Sequence, residues 1–243
     1  SVYSILINGG IGYTGTAIVE IALTGPASTT LMRISNVPDL SSAVWETFSP
    51  TRTWILPEGD GIKTVYASFQ DQSGAISTPV SAAIELDTYS SIESLAITPE
   101  PHTYSIGANV HIMMEVEGNE TGGSGSVDIE GHEAGPIALY DDGRRGDRTA
   151  GDGVYEADYS FPSIFRGTGL TVTGNFTDRA GNQAVPLEWA DRISFTDPPE
   201  PVHLIGSVDS TISMITIRWA ESAEDDFSYY RIYRDTRTGV TDD

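Results

Sequence analysis

Residues 139–159 read LYDDGRRGDRTAGDGVYEADY, from Leu139 to Tyr159. The Asp-Gly and Gly-Asp steps between Asp141 and Gly153 exclude a regular helix or strand there, because glycine and aspartate favour turns. On either side, Ile137 to Tyr140 and Val154 to Tyr159 are rich in β-branched and aromatic residues and read as strands. The stretch is therefore strand, long acidic loop, strand. A long loop held at both ends within a compact domain is characteristically a functional one.

Working outward, the same grammar recurs. Ala17, Val19, Ile21 and Leu23 alternate with Ile18, Glu20 and Ala22, a period of two that predicts a half-buried strand over 17–23. Gly25-Pro26 closes it, and further strands are predicted at Thr30 to Ile34, Trp54 to Leu56 and Ile62 to Gln70. A last strand is expected over Ile76 to Leu86, after the turn Asp71 to Gly74. Beyond residue 88, Val110, Ile112, Met114 and Val116 alternate with His111, Met113 and Glu115, and Leu170 to Phe176 forms another strand. Gly118 to Ser126, GNETGGSGS, reads as a mobile tip. Short strands at this spacing predict an all-β chain of tandem β-sandwiches. The expected boundaries are 1–88, 89–197 and 198–243, the last opened by the stiff linker Asp197-Pro198-Pro199-Glu200-Pro201.

Phe69-x-Asp71-x-x-Gly74 recurs as Phe176-x-Asp178-x-x-Gly181, each time before a final strand. This short internal repeat predicts the same closing hairpin in two sandwiches of one kind. Met32 to Asn36, Trp45 to Phe48, Thr53 to Leu56 and Gly59 to Asp71 together resemble the immunoglobulin-like repeats of large bacterial surface and secreted proteins. Leu139 to Tyr155 is similar to bacterial surface modules with the signature Leu-x-Asp-Asp-Gly, Gly-Asp, Ala-Gly-Asp-Gly-x-Tyr. After the proline linker, Ile215, Ile217 and Trp219, then Tyr230 and Ile232, resemble the first half of a fibronectin type III domain. These resemblances imply a spacer fold without a common active site. Such a half domain leads us to expect that more chain follows or that a partner strand completes its sheet.

Composition narrows the function classes. The formal net charge is −22, so the surface repels phosphates and anionic headgroups and binding to nucleic acid is not expected; with no run of about 18 apolar residues, membrane insertion is not expected either. Acidic residues outnumber basic ones 8 to 3 up to Thr88, 18 to 6 from Tyr89 to Asp197, and 9 to 4 beyond. The excess is thus concentrated in the segment that carries the loop. Cysteine is absent, which removes disulfides, thiolate metal sites and thiol nucleophiles together.

Candidate sites centre on the loop. Asp141, Asp142, Asp147 and Asp152 recur there among glycines that can fold carboxylates toward one point. Calcium takes six to eight hard oxygens in flexible geometry, so Ca2+ is the ion this donor set suits. The other reading is a metal-free loop, with aspartates capping turn amides and Arg144, Arg145 and Arg148 pairing with the acids. Arg145-Gly146-Asp147 is an integrin-type tripeptide of the kind that such a composition produces by chance.

Trp45, Trp54 and Trp189 are the candidates to stack on a sugar ring; Trp45, in a turn, is the foremost, whereas Trp54, like Trp219, sits in a strand and reads as a core residue. Asn119-Glu-Thr121 and Asn175-Phe-Thr177 fit the glycosylation pattern. His111 with Glu115 and His132 beside Glu133 read as solvated positions, and no catalytic motif is present. The expected function is a non-catalytic, structural region of a modular secreted or cell-surface prokaryotic protein. Its partners would be other modules of that protein or copies of itself. The alternatives are a polysaccharide-binding accessory region of a secreted hydrolase and a subunit of an extracellular filament completed by strand exchange.

Overall fold

The computed structural model describes residues 2–196, 205–209 and 214–218. The first eight strands are β1 (Ser4–Ile7), β2 (Tyr13–Thr14), β3 (Ile18–Thr24), β4 (Thr29–Ser35), β5 (Glu46–Thr47), β6 (Thr51–Ile55), β7 (Gly61–Asp71) and β8 (Val80–Leu86). They form two sheets, β1-β3-β6 and β2-β8-β7-β4-β5. The period-two faces turn inward as the side-chain alternation requires. Val19, Ile21 and Leu23 of β3 meet Val65, Ala67 and Phe69 of β7 in one buried cluster. Each of these side chains except Ala67 contributes, when fully buried, about 1.5–3 kcal/mol over leaving it in water.

A second set follows: β9 (Ile92–Thr98), β10 (Thr103–Ser105), β11 (Asn109–Val116), β12 (Ser124–Ile129), β13 (Ile137–Leu139), β14 (Val154–Ser160), β15 (Gly167–Leu170), β16 (Val172–Thr177), β17 (Leu187–Glu188) and β18 (Ile193–Thr196). The sheets are β14-β11-β9, β13-β12-β16-β17 and β10-β18-β15. Much of the topology repeats. β1-β3-β6 corresponds to β9-β11-β14, and β5-β4-β7 to β13-β12-β16. In both sets an early short strand pairs in parallel with the last one, β2 with β8 and β10 with β18. The second core gathers Ile112, Met114, Val127, Tyr155, Phe176 and Ile193 among others, and shares no residue with the first. Phe69 and Phe176 occupy matching places, on β7 and β16, and both are buried.

Three expectations need correction. Gly118 to Ser126 is not a loose tip, because a 3-10 turn covers Glu117–Asn119 and β12 starts at Ser124. Two of its glycines serve close packing: a Cβ on Gly125 would lie 2.7 Å from Met114 Cε, and one on Gly123 2.4 Å from Phe176 Cζ. The strand expected over Leu170 to Phe176 is two strands. β15 pairs with β18, and after Thr171 the chain passes to β12 in another sheet. The strand expected from Ile76 starts only at Val80; Ile76 makes an isolated bridge to Gln70 instead.

Of the expected third segment, the described residues hold one antiparallel hairpin, β19 (Ile205–Asp209) with β20 (Met214–Arg218). Trp219, Tyr230, Ile232 and His203, and with them the half-domain reading, lie outside the described residues. Among those residues, no helix is long and apolar enough to cross a membrane.

Candidate metal centre

The loop between β13 and β14 is pinned at its base and folded back on its own strand. Tyr140 and Glu156 exchange backbone hydrogen bonds (2.9 and 2.8 Å), extending the strand pair by one bridge. Asp158 N–H then donates to Arg145 O at 3.2 Å. Gly146 lies so close to β14 that a Cβ there would sit 2.1 Å from Asp158 N, and its φ is +104°. Only glycine fits that approach.

Folding the loop this way brings three of the four predicted aspartates together. Asp141, Asp147 and Asp152 each place a carboxylate oxygen within 4.8 Å of the other two. Asp141 Oδ1 accepts from Gly151 N–H (2.7 Å) and Asp152 N–H (3.1 Å). Asp147, 6% exposed, accepts from Gly143 N–H and from Thr149 N–H (3.1 Å). Asp152 Oδ1 accepts from Val154 N–H at 3.0 Å. Asp142 stands apart: it accepts from Arg144 N–H (2.9 Å) and pairs with Arg145 (3.2 Å).

Aspartates capping turn amides are therefore present, as the metal-free reading expects, and of its arginine pairings with the loop aspartates that of Arg145 is present while Arg148 turns to Glu156. Arg145 pairs with Asp142 and lies over the Tyr140 ring, 4.0 Å from its centroid. Arg148 pairs with Glu156 at 3.3 Å. Neither of these ion pairs involves the converging three. Two unit charges 4.8 Å apart repel by roughly 3 kcal/mol at an effective dielectric near 20. Moreover, Asp141 Oδ2 is fully buried and has no hydrogen-bond partner, an arrangement that costs about 1–3 kcal/mol or more for a charged group.

A divalent cation fits this donor set. Calcium–oxygen distances of about 2.3–2.6 Å put opposite ligands of one ion about 5 Å apart, so oxygens all within 4.8 Å of one another can share one ion. The hard carboxylate oxygens, with no sulfur or imidazole among them, suit calcium rather than a softer metal.

Other predicted positions are accounted for differently. Trp45 is half-buried, and the Arg33 guanidinium carbon lies 4.6 Å from its ring centroid, over one face. Trp54 packs on the first core and donates from Nε1 to Asn36 Oδ1 at 2.7 Å. Asp147 being buried, Arg145-Gly146-Asp147 does not offer an exposed carboxylate. His111 is no solvated residue: its Nε2 meets Glu156 Oε1 and its Nδ1 meets Asp158 Oδ1, both at 2.9 Å. Glu156, 4% exposed, also accepts from Arg148 N–H at 2.8 Å. His132 sits among Tyr159, Phe161 and Phe165, with Nε2 2.7 Å from the Tyr159 hydroxyl.

Sequence reasoning missed a second carboxylate trio. Asp87, Glu120 and Asp178 also lie within 4.8 Å of one another, Asp87 just past the first sandwich and the others on the second. Burial pushes Asp87 and Glu120 above the ordinary carboxylate range, and the neighbouring carboxylates push them further. Glu120 and Asp178 lie 33 and 91 positions beyond Asp87, and no local pattern links them to it.

No protein-family model and no curated protein matches the chain. Solved structures similar to it include the fibronectin(III)-like modules of CbhA from Clostridium thermocellum. That match has a TM-score of 0.44 and 12% identity, covering 79% of this chain and 94% of that one. A tetra-tandem repeat from the extending region of a large adhesion protein matches with TM-score 0.35 and 17% identity, covering 93% of this chain and 64% of that one. Murine CEACAM1b matches with TM-score 0.41 and 10% identity, covering 79% of this chain and all of that one.

Proposed function

We propose that the chain is a non-catalytic spacer region of a larger modular, extracellular prokaryotic protein, and that a calcium ion on Asp141, Asp147 and Asp152 stiffens its second sandwich. The observation that carries the reading is the tied junction between two successive sandwiches that share much of their topology. Asn182 Nδ2 of the second donates to Asp87 O at 2.7 Å, and Arg179 pairs with Glu85 of the first. Ties of this kind restrain successive modules against each other, which is what a spacer needs. The calcium part is supported by the convergence of three carboxylates, one of which, that of Asp141, carries a buried Oδ2 without a hydrogen-bond partner.

The protein keeps something at a distance; it does not transform a substrate. The test is small-angle scattering with sedimentation: an elongated monomer is expected. Concentration-dependent polymers would favour a filament subunit instead. Retention on insoluble polysaccharide that is lost in Trp45→Ala would favour the accessory region of a hydrolase.

A further inference from the structure

The loop ends against the joint. Its last two residues, Asp152 and Gly153, support the short turn at Glu117–Asn119, and that turn supports the connector between the two sandwiches.

On the loop side, Asn119 Nδ2 donates to Asp152 O at 2.9 Å. Gly153 lies directly on the Asn119 backbone, where a Cβ would stand 2.5 Å from both Asn119 C and Cα. Tyr155, the first buried residue of β14, donates from its hydroxyl to Glu120 O at 3.2 Å and accepts from Gly123 N–H at 2.8 Å. Asn119 itself has φ +55°, a left-handed conformation that asparagine tolerates better than most residues. One side chain therefore both suits the turn and ties it to the loop.

On the joint side, Glu117 N–H donates to Ser91 O at 3.1 Å, and Ser91 Oγ donates to Glu117 Oε2 at 2.6 Å. Ser90, buried, donates from Oγ to Glu120 Oε2 at 3.3 Å. From the other wall, Asn182 reaches Asp87 O. The connector 87–91 is thus held between residues 117–120 and the Asp178–Asn182 hairpin.

We propose that the end of the acidic loop is a buttress for the joint: through Asn119 it fixes how the first sandwich is held against the second. Interfaces between domains of one chain ordinarily leave relative motion free unless something restrains it. The Asp152–Asn119 contact supplies that restraint. Where the calcium reading above also holds, an ion on Asp152 acts on the joint through the same contact, and this second step rests on that reading.

Two engineered cysteines test it cleanly, since the chain has none of its own. Thr53→Cys and Thr168→Cys, both exposed and one on each sandwich, take spin labels for a distance distribution across the joint. Asn119→Gly keeps the left-handed turn available and removes only the amide donor; Asn119→Asp removes the donor with little change of shape. Both are expected to broaden the distribution while the second sandwich keeps its folded spectrum. Asn36→Ala, which cuts a comparable polar tie inside the first sandwich, is expected to leave it unchanged. Distributions of both Asn119 variants that superimpose on the parent's, or an equal broadening by Asn36→Ala, would overturn the proposal. Calcium is then added to the parent and to Asn119→Gly. Narrowing in the parent alone supports the second step. A parent without response in distance or melting counts against the calcium reading, while the Asn119 comparison still decides the buttress.

Discussion

Asp178 stands in the second sandwich where Asp71 stands in the first, two residues after a buried phenylalanine and at the head of the closing hairpin, yet the two carboxylates do different work. Asp71 Oδ1 accepts from Ser73 N–H (2.8 Å) and Ala75 N–H (3.0 Å), and the turn is exposed. Asp178, 5% exposed, accepts from Asn182 N–H (2.8 Å) and from Asn182 Nδ2 (2.7 Å), and so aims that amide at Asp87 O. Replacing Asp178 by Ala is expected to destabilise the second sandwich by about 2 kcal/mol, since buried donors lose a charged acceptor. Asp71→Ala should cause only a small change. Denaturant unfolding of the two variants checks the contrast.

The loop glycines are not equivalent. Gly146→Ala drives a Cβ into the β14 backbone and is expected to cost about 3 kcal/mol. Gly151, at φ +72°, has nothing within 4 Å of a Cβ, so Gly151→Ala should cost only the left-handed penalty of about 1–2 kcal/mol. Equal losses in thermal melts would refute this account of how the loop seats on its strand.

The joint should respond to pH. Burial first, then the Asp87 and Asp178 charges, hold Glu120 above the ordinary carboxylate range. A carboxyl with a raised folded-state pKa binds its proton more tightly folded than unfolded. Its charged form therefore weakens the fold at neutral pH, and the penalty is relieved as pH falls through the raised value. Glu120→Gln should accordingly stabilise the protein at pH 7 and flatten the stability profile in the window between neutrality and the ordinary carboxylate range. Melting curves of parent and variant across that window give the answer; a variant as pH-dependent as the parent would contradict it.

How far the chain could be read beforehand depended on the range of the forces concerned. The inward faces of β3, β7 and β11 follow from local alternation, and Val19, Ile21, Val65, Phe69, Ile112 and Met114 are buried as their spacing predicts. The Phe-x-Asp-x-x-Gly repeat likewise marked matching hairpins. Glycines misled where they pack rather than flex, as at Gly123 and Gly125. The loop's aspartates were visible, but which of them converge depends on long-range seating against β14. That seating leaves Asp142 with Arg145 and draws Asp147 inside. The burial of Glu156 beneath the loop and the carboxylates at the joint have the same origin, contacts between residues tens of positions apart.

The most direct test of the central claim is the melting temperature of the second sandwich in millimolar calcium against chelator, for the parent, Asp141→Asn, Asp147→Asn and Asp142→Asn. At a hundredfold excess over the dissociation constant, calcium should stabilise the parent by about 2.7 kcal/mol, a rise of roughly 10 °C for a domain of this size. Asp141→Asn and Asp147→Asn should lose that rise and Asp142→Asn should keep it. Identical melting of the parent in calcium and in chelator would contradict a calcium-stiffened spacer.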